Sequence, residues 1–131
     1  MMLQTLSSRR LKLALGISVL LLAACTLTTD APRPYILAIT SPEPQTTTVG
    51  TPLPSPLGVG LVDQYGSAMS DVTVTWAITA GGGTLSATST QTDGNGRASV
   101  TYTAGNTAGT ATITATVAGL GTLTFTETIT P

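Results

Sequence analysis

The sequence predicts an all-β sandwich of about seven short strands, and three observations carry that prediction. Apolar residues alternate with threonine at a period of two through much of the chain, as strands with one buried face require. Turn signals built from Gly, Asn, Asp and Pro recur at near-regular spacing between these runs. No segment beyond Tyr35 shows a helical period.

Taken in order, the chain opens with a segment that does not belong to that fold. Met1 to Lys12 holds Arg9, Arg10 and Lys12, and Leu13 to Ala24 is an apolar run ending in L-A-A-C. A charged start, a short apolar run and small residues make a signal peptide over residues 1–24, since a membrane span needs about 20 apolar residues. Leu22, Ala23, Ala24 and Cys25 resemble the lipobox of bacterial lipoproteins. The resemblance implies cleavage before Cys25 and acylation of its thiol, so Cys25 is the expected lipidation site and membrane anchor. One acyl chain binds a membrane marginally, whereas two or three hold it stably. The competing possibility is ordinary secretory cleavage beside an incidental cysteine. In the lipoprotein family an aspartate after the cysteine marks inner-membrane retention; Thr26 stands there instead, which favours the outer membrane in a Gram-negative source.

Residues 25–34 read as a tether, with Pro32 and Pro34 and no apolar alternation. At about 3.3 Å per residue, Thr26 to Pro34 spans at most about 30 Å. Residues 35–131 then form one domain. Tyr35 to Thr40 is a short strand, interrupted by Ser41-Pro42-Glu43-Pro44 as an edge strand or loop tolerates, and resumed at Gln45 to Val49. Leu57, Val59 and Leu61 alternate into the turn Asp63-Gln64-Tyr65-Gly66. Val72, Val74, Trp76 and Ile78 form an inward face opposite Thr73, Thr75 and Thr79, and Gly81 to Gly83 end it. Ala98, Val100 and Tyr102 share one face, as do Ala111, Ile113, Ala115 and Val117. With Gly/Asn turns around them, these two runs predict a β-hairpin within Thr92 to Gly119. Leu123, Phe125 and Ile129 close the domain. The last strand, Thr122 to Thr130, carries Glu127 on its apolar face; it is expected either to be shielded within a sheet or to offer an edge to a partner.

Composition narrows the function. After the leading segment only Arg33 and Arg97 remain against six acidic residues, a net charge of −4 with no lysine. Nucleic acid needs clustered Lys or Arg and is excluded as a partner, as is polybasic membrane binding. The chain has no histidine and one cysteine. Ser-His-Asp and Cys-His catalysis, lysine Schiff bases and N/S zinc sites are therefore out of reach. Glycosidase chemistry would need two carboxylates about 5–9.5 Å apart, and Asp63, Asp71 and Asp93 sit beside turns where Asp caps the backbone. Asp93-Gly94-Asn95-Gly96 starts like a calcium loop, but Arg97 replaces the next oxygen ligand and the closing glutamate is missing. A turn explains it better, although Asp63 and Asp93 could converge on a weak Ca2+ site. Trp76 belongs to the core, and Tyr65 at its turn is a candidate for exposure.

The runs L-V-D-Q-Y-G, D-V-T-V-T-W, G-G-G-T-L-S, T-D-G-N-G-R-A, T-A-G and A-G-T-A-T-I-T-A-T-V-A-G, in that order, resemble a bacterial immunoglobulin-like domain of the invasin and intimin type. The likeness runs from about Ile36 to Ile129 and carries no catalytic residue with it. It implies an Ig-like Greek-key sandwich used as a rigid extracytoplasmic module, often in tandem. One domain ending at Pro131 gives no expectation of a long stalk from this chain alone. The expected role is a lipid-anchored cell-envelope module, structural, adhesive or protein-binding and not an enzyme. Its expected partners are the membrane, through the anchor, and an envelope or host protein, with no cofactor, metal or small-molecule substrate. The alternative is a ligand-binding module, for carbohydrate or Ca2+, using Asp63 and Tyr65 in loops at the pole away from the membrane.

Overall fold

The computed structural model describes residues 30–131, of which Pro32–Pro131 form one compact unit. The expected signal peptide of residues 1–24 and the expected lipidation site Cys25 lie outside the described residues. No helix occurs among those described. Ten strand segments follow in order: β1 (Pro34–Ile39), β2 (Thr46–Thr48), β3 (Leu57–Asp63), β4 (Thr73–Ala80), β5 (Thr84–Leu85), β6 (Ser89–Gln91), β7 (Arg97–Val100), β8 (Tyr102–Thr103), β9 (Gly109–Val117) and β10 (Gly121–Thr130). They trace seven lines of chain, because β1/β2, β5/β6 and β7/β8 are each one run broken in the middle.

One sheet has the order β1-β3-β7 and the other β2-β10-β9-β4-β6, with β5 and β8 paired separately. The Ser41-Pro42-Glu43-Pro44 interruption is the place where the first line changes sheets. Before it, β1 runs antiparallel to β3; after it, β2 runs parallel to β10 through Thr46, Thr47 and Thr48. Proline suits this position because a chain leaving one ladder for another has no partner for its N–H at the crossing.

The alternating residues face inward as their period requires. Leu57, Val59, Val74, Trp76, Val100, Tyr102, Ile113, Val117, Phe125 and Ile129 are all buried in one core between the sheets. Trp76 and Phe125 pack with ring centroids 5.9 Å apart. The Trp76 indole N–H donates to Thr90 Oγ1 at 2.8 Å, which satisfies its polar edge inside the sandwich. Tyr102 likewise donates its hydroxyl to the Gly82 carbonyl at 2.7 Å, closing the Gly81–Gly83 loop over the core.

The expected hairpin between the Ala98–Tyr102 and Ala111–Val117 runs does not form. β7 pairs with β3 in one sheet, while β9 pairs with β4 and β10 in the other. Alternation fixes which face of a strand is buried and is silent about its neighbour. Both runs do bury the predicted faces, from opposite sheets into the one core. The hairpin of this region is β9–β10, in register from Val117↔Gly121 to Gly109↔Ile129.

Candidate functional site

Two turns are built from the same local chemistry. At Asp63-Gln64-Tyr65-Gly66-Ser67, the Asp63 Oδ1 accepts the N–H of Tyr65 at 2.8 Å and of Ser67 at 2.9 Å, and the Gly66 N–H closes on the Asp63 carbonyl at 3.0 Å. At Asp93-Gly94-Asn95-Gly96-Arg97, Asp93 Oδ1 accepts the N–H of Asn95 at 2.9 Å and of Arg97 at 3.0 Å, and Gly96 closes on Asp93 at 2.9 Å. A carboxylate that accepts two backbone N–H groups is stabilised in its charged form. The Arg97 and Asn95 amides accordingly hold the Asp93 carboxyl below its ordinary 3.8.

Both turns lie at the end of the sandwich where β1 begins. Pro34 pairs with Asp63, Gly60 pairs with Arg97, and the Arg33 N–H donates to Gln64 Oε1 at 2.9 Å. This leading pole also carries the β9–β10 turn, because Tyr35, Ile36 and Leu37 line a groove of about 300 Å³ with Leu120, Gly121, Thr122 and Leu123. Asp63 and Tyr65 are therefore on the side from which the chain arrives, the reverse of the expectation that put them at the far pole. The hydrogen bond from Arg33 and the pairing of Pro34, both long-range, decide this; no feature of a single turn could. Among the described residues no group of three or more His, Cys, Asp or Glu side chains could hold a metal ion.

Large apolar side chains are exposed at this pole. Tyr35 is 59% exposed, Ile36 51% and Tyr65 59%. Consecutive strand residues normally face opposite ways, but the register of β1 against β3 shifts between Pro34 and Ile36. The extra residue, Tyr35, is a bulge of the kind that re-aims side chains at sheet edges.

Two glutamates, Glu43 and Glu127, serve the strand crossing. Glu43 Oε1 accepts the Thr126 N–H at 2.7 Å, and the Gln45 carbonyl accepts the Thr128 N–H at 3.0 Å. Glu127, on β10, is fully buried; its Oε2 accepts the Gln45 N–H, and its Oε1 has no hydrogen-bond partner. Burial pushes its pKa above the ordinary 4.5, the Gln45 N–H opposes that rise, and nearby Glu43 adds to it. The sequence alternatives for the last strand resolve by halves. From Thr126 onward β10 is covered by Glu43, Gln45 and β2, whereas among the described residues no strand pairs with Gly121–Phe125 on that side. An inward-pointing charge beside a partly open edge is a recognised guard against unwanted strand pairing.

Sequence reasoning missed Thr92, placed in a turn yet buried. Its Oγ1 donates to the Met69 carbonyl at 2.6 Å and accepts the Val72 N–H at 3.0 Å, joining the β3–β4 connection to the Asp93 turn. A threonine in a Thr-rich chain gives no local signal of that role.

The family described as bacterial Ig-like domain (group 1) matches residues 55–130. The chain belongs to this family. The match takes in this Ig-like domain from β3 to β10, with β1 and β2 ahead of it. No curated protein matches the sequence. Among solved structures, the D0-D1 domain of intimin is similar at 21% identity and TM-score 0.57, covering 72% of this chain and 47% of that one. S-layer protein SbsC domains 4 and 5 are similar at 21% identity and TM-score 0.58, covering 79% and 55%. A C-terminal intimin fragment, solved in complex with the intimin-binding domain of the translocated intimin receptor Tir, is similar at 24% identity and TM-score 0.56, covering 70% and 33%. The chain spans about half the length of the two intimin domain pairs it matches. At these identities the likeness establishes the sandwich fold.

Proposed function

We propose that this Ig-like domain is a lipid-anchored module of the bacterial cell envelope with a structural or adhesive role and no catalysis. The observation that carries the non-catalytic part is the use made of the acidic residues. Asp63, Asp93, Glu43 and Glu127 each accept backbone N–H groups of turns or of the strand crossing. They are spent on architecture. The envelope role is favoured by family membership and by neighbours from intimin and S-layer proteins. A protein is the favoured partner class, since one neighbour was solved bound to a receptor domain.

The anchor rests on Leu22-Ala23-Ala24-Cys25 behind a charged and an apolar segment. Intact mass of membrane-extracted protein, beside a Cys25→Ala variant, tests it. Cleavage before Cys25 with added acyl chains, lost in the variant, is the expected result; an unmodified soluble protein overturns it. The ligand-binding alternative has less behind it, because Asp63 and Asp93 already hold two N–H groups each. Calcium should leave the melting temperature unchanged. A site filled at a hundred times its Kd would add about 2.7 kcal/mol, a rise no melting curve would miss.

A further inference from the structure

We propose that the leading pole of the domain rests on a phospholipid bilayer, with Tyr35, Ile36 and Tyr65 seated among the headgroups. This rests on the lipid-anchor reading of Cys25 and deepens it by assigning the surface that the anchored domain turns to the membrane. Three observations meet at this pole. The first is the apolar surface. The exposed large hydrophobic side chains of the described residues are Tyr35, Ile36 and Tyr65, and Pro34↔Asp63 pairing brings all three to one end. The β1 bulge turns Tyr35 and Ile36 outward together, and the groove beside them continues the apolar surface to Leu120 and Leu123.

The second is the length of chain outside the strands. Only eight residues separate Cys25 from Pro34, so an acylated Cys25 holds the start of β1 within about 30 Å of the bilayer. A tether that short keeps this pole at high effective concentration at the surface, and weak apolar contacts then suffice to bias orientation. The third is chemical type. Tyrosine, with an apolar ring and a polar tip, suits the boundary between headgroups and acyl chains. Arg33, beside Gln64, and Asp71 put one charge of each sign at this pole, while the Arg97 and Asp93 side chains line the sheet face towards Thr40, Ser41 and Pro56. The mixed charge fits a zwitterionic surface such as phosphatidylcholine and gives no preference for an anionic one.

The test uses the mature, acylated protein on phosphatidylcholine vesicles whose acyl chains carry bromine, a contact quencher of tryptophan. Tyr65→Trp puts a reporter at the leading pole, and Asn106→Trp puts one in the exposed connection before β9, at the opposite pole. The wild type, with its buried Trp76, supplies the baseline. Residues seated at the interface reach roughly 5–10 Å into the headgroup and acyl boundary, so Tyr65→Trp should be quenched at least about twofold more than Asn106→Trp. Adding Tyr35→Ser and Ile36→Ser should reduce that difference while the protein still floats with the vesicles. Flotation with neither reporter quenched, or with both quenched equally, overturns the membrane contact and leaves the anchor standing. Failure to float overturns the anchor and the contact with it. An unquenched Tyr65→Trp accompanied by a species of doubled mass assigns the patch to a second copy of the chain and overturns the proposal.

Discussion

The Asp63 and Asp93 turns share their hydrogen bonds and differ in everything that surrounds them. Asp63 is 5% exposed, whereas Asp93 lies open to water. Their glycines are reversed. Gly66 and Gly96 both have positive φ, 82° and 73°. A Cβ at Gly66 would meet nothing within 4 Å, but one at Gly96 would collide with the Leu61 carbonyl oxygen and crowd Met69 and Ala68. The same five-residue device thus stores its stability in the carboxylate at one turn and in the glycine at the other. Local sequence specifies the turn; the neighbouring strands specify which of its atoms matters.

Substitutions that remove one element at a time should reproduce that reversal. The largest effect is expected at Gly96→Ala, which combines left-handed backbone strain with a clash against backbone and should cost about 3 kcal/mol in urea unfolding. Gly66→Ala meets only the strain and should cost about 1 kcal/mol. Equal losses at the two glycines would break the comparison. Next comes Asp63→Ala, which strands the Tyr65 and Ser67 N–H groups beside a buried position and should cost about 2 kcal/mol. Asp93→Ala exposes its amides to water and should lower the unfolding midpoint by clearly less.

Glu127 sharpens the contrast from the opposite side, because its carboxylate is buried with one oxygen unpartnered. Glu127→Gln keeps an oxygen for the Gln45 N–H and removes the charge, so it should stabilise the domain by about 1 kcal/mol at neutral pH, read as a raised urea midpoint. The two carboxylates should also oppose each other in pH dependence. Glu127 has a raised pKa, so between its ordinary 4.5 and its folded value the native state binds more protons than the unfolded chain. Stability therefore falls as pH rises through that window. Asp93 has a lowered pKa, so its contribution is present above the ordinary 3.8 and is lost as pH falls below it towards the folded value. The smallest expected effect is on the shape of this curve. Glu127→Gln should flatten the decline above pH 4.5, and Asp93→Ala should soften the acid limb. A decline unchanged in the glutamine variant would show that Glu127 does not set it.

The leading pole was legible in pieces. D-Q-Y-G announced a turn with a surface tyrosine, D-G-N-G announced a second turn, and Leu57 to Leu61 announced the strand between them and the core. That both turns face the arriving chain followed from Pro34 pairing with Asp63 and Gly60 with Arg97, contacts between residues far apart in sequence. Tyr35 gave no sign of being a bulge, because a shift of register depends on the strand opposite.

By itself the sequence determined the class of the fold, the buried face of each long strand, the two aspartate turns and the core places of Trp76 and Phe125. Each of these depends on backbone period or on hydrogen bonds within a few residues. The tertiary structure alone decided partners: β7 with β3 and β9 with β10, the change of sheet at Ser41–Pro44, the burial of Thr92 and the enclosure of Glu127 beneath Gln45. The physical reason is that alternation carries one bit per residue, inward or outward. Which inward face meets which is settled only when all of them compete for the same dry volume.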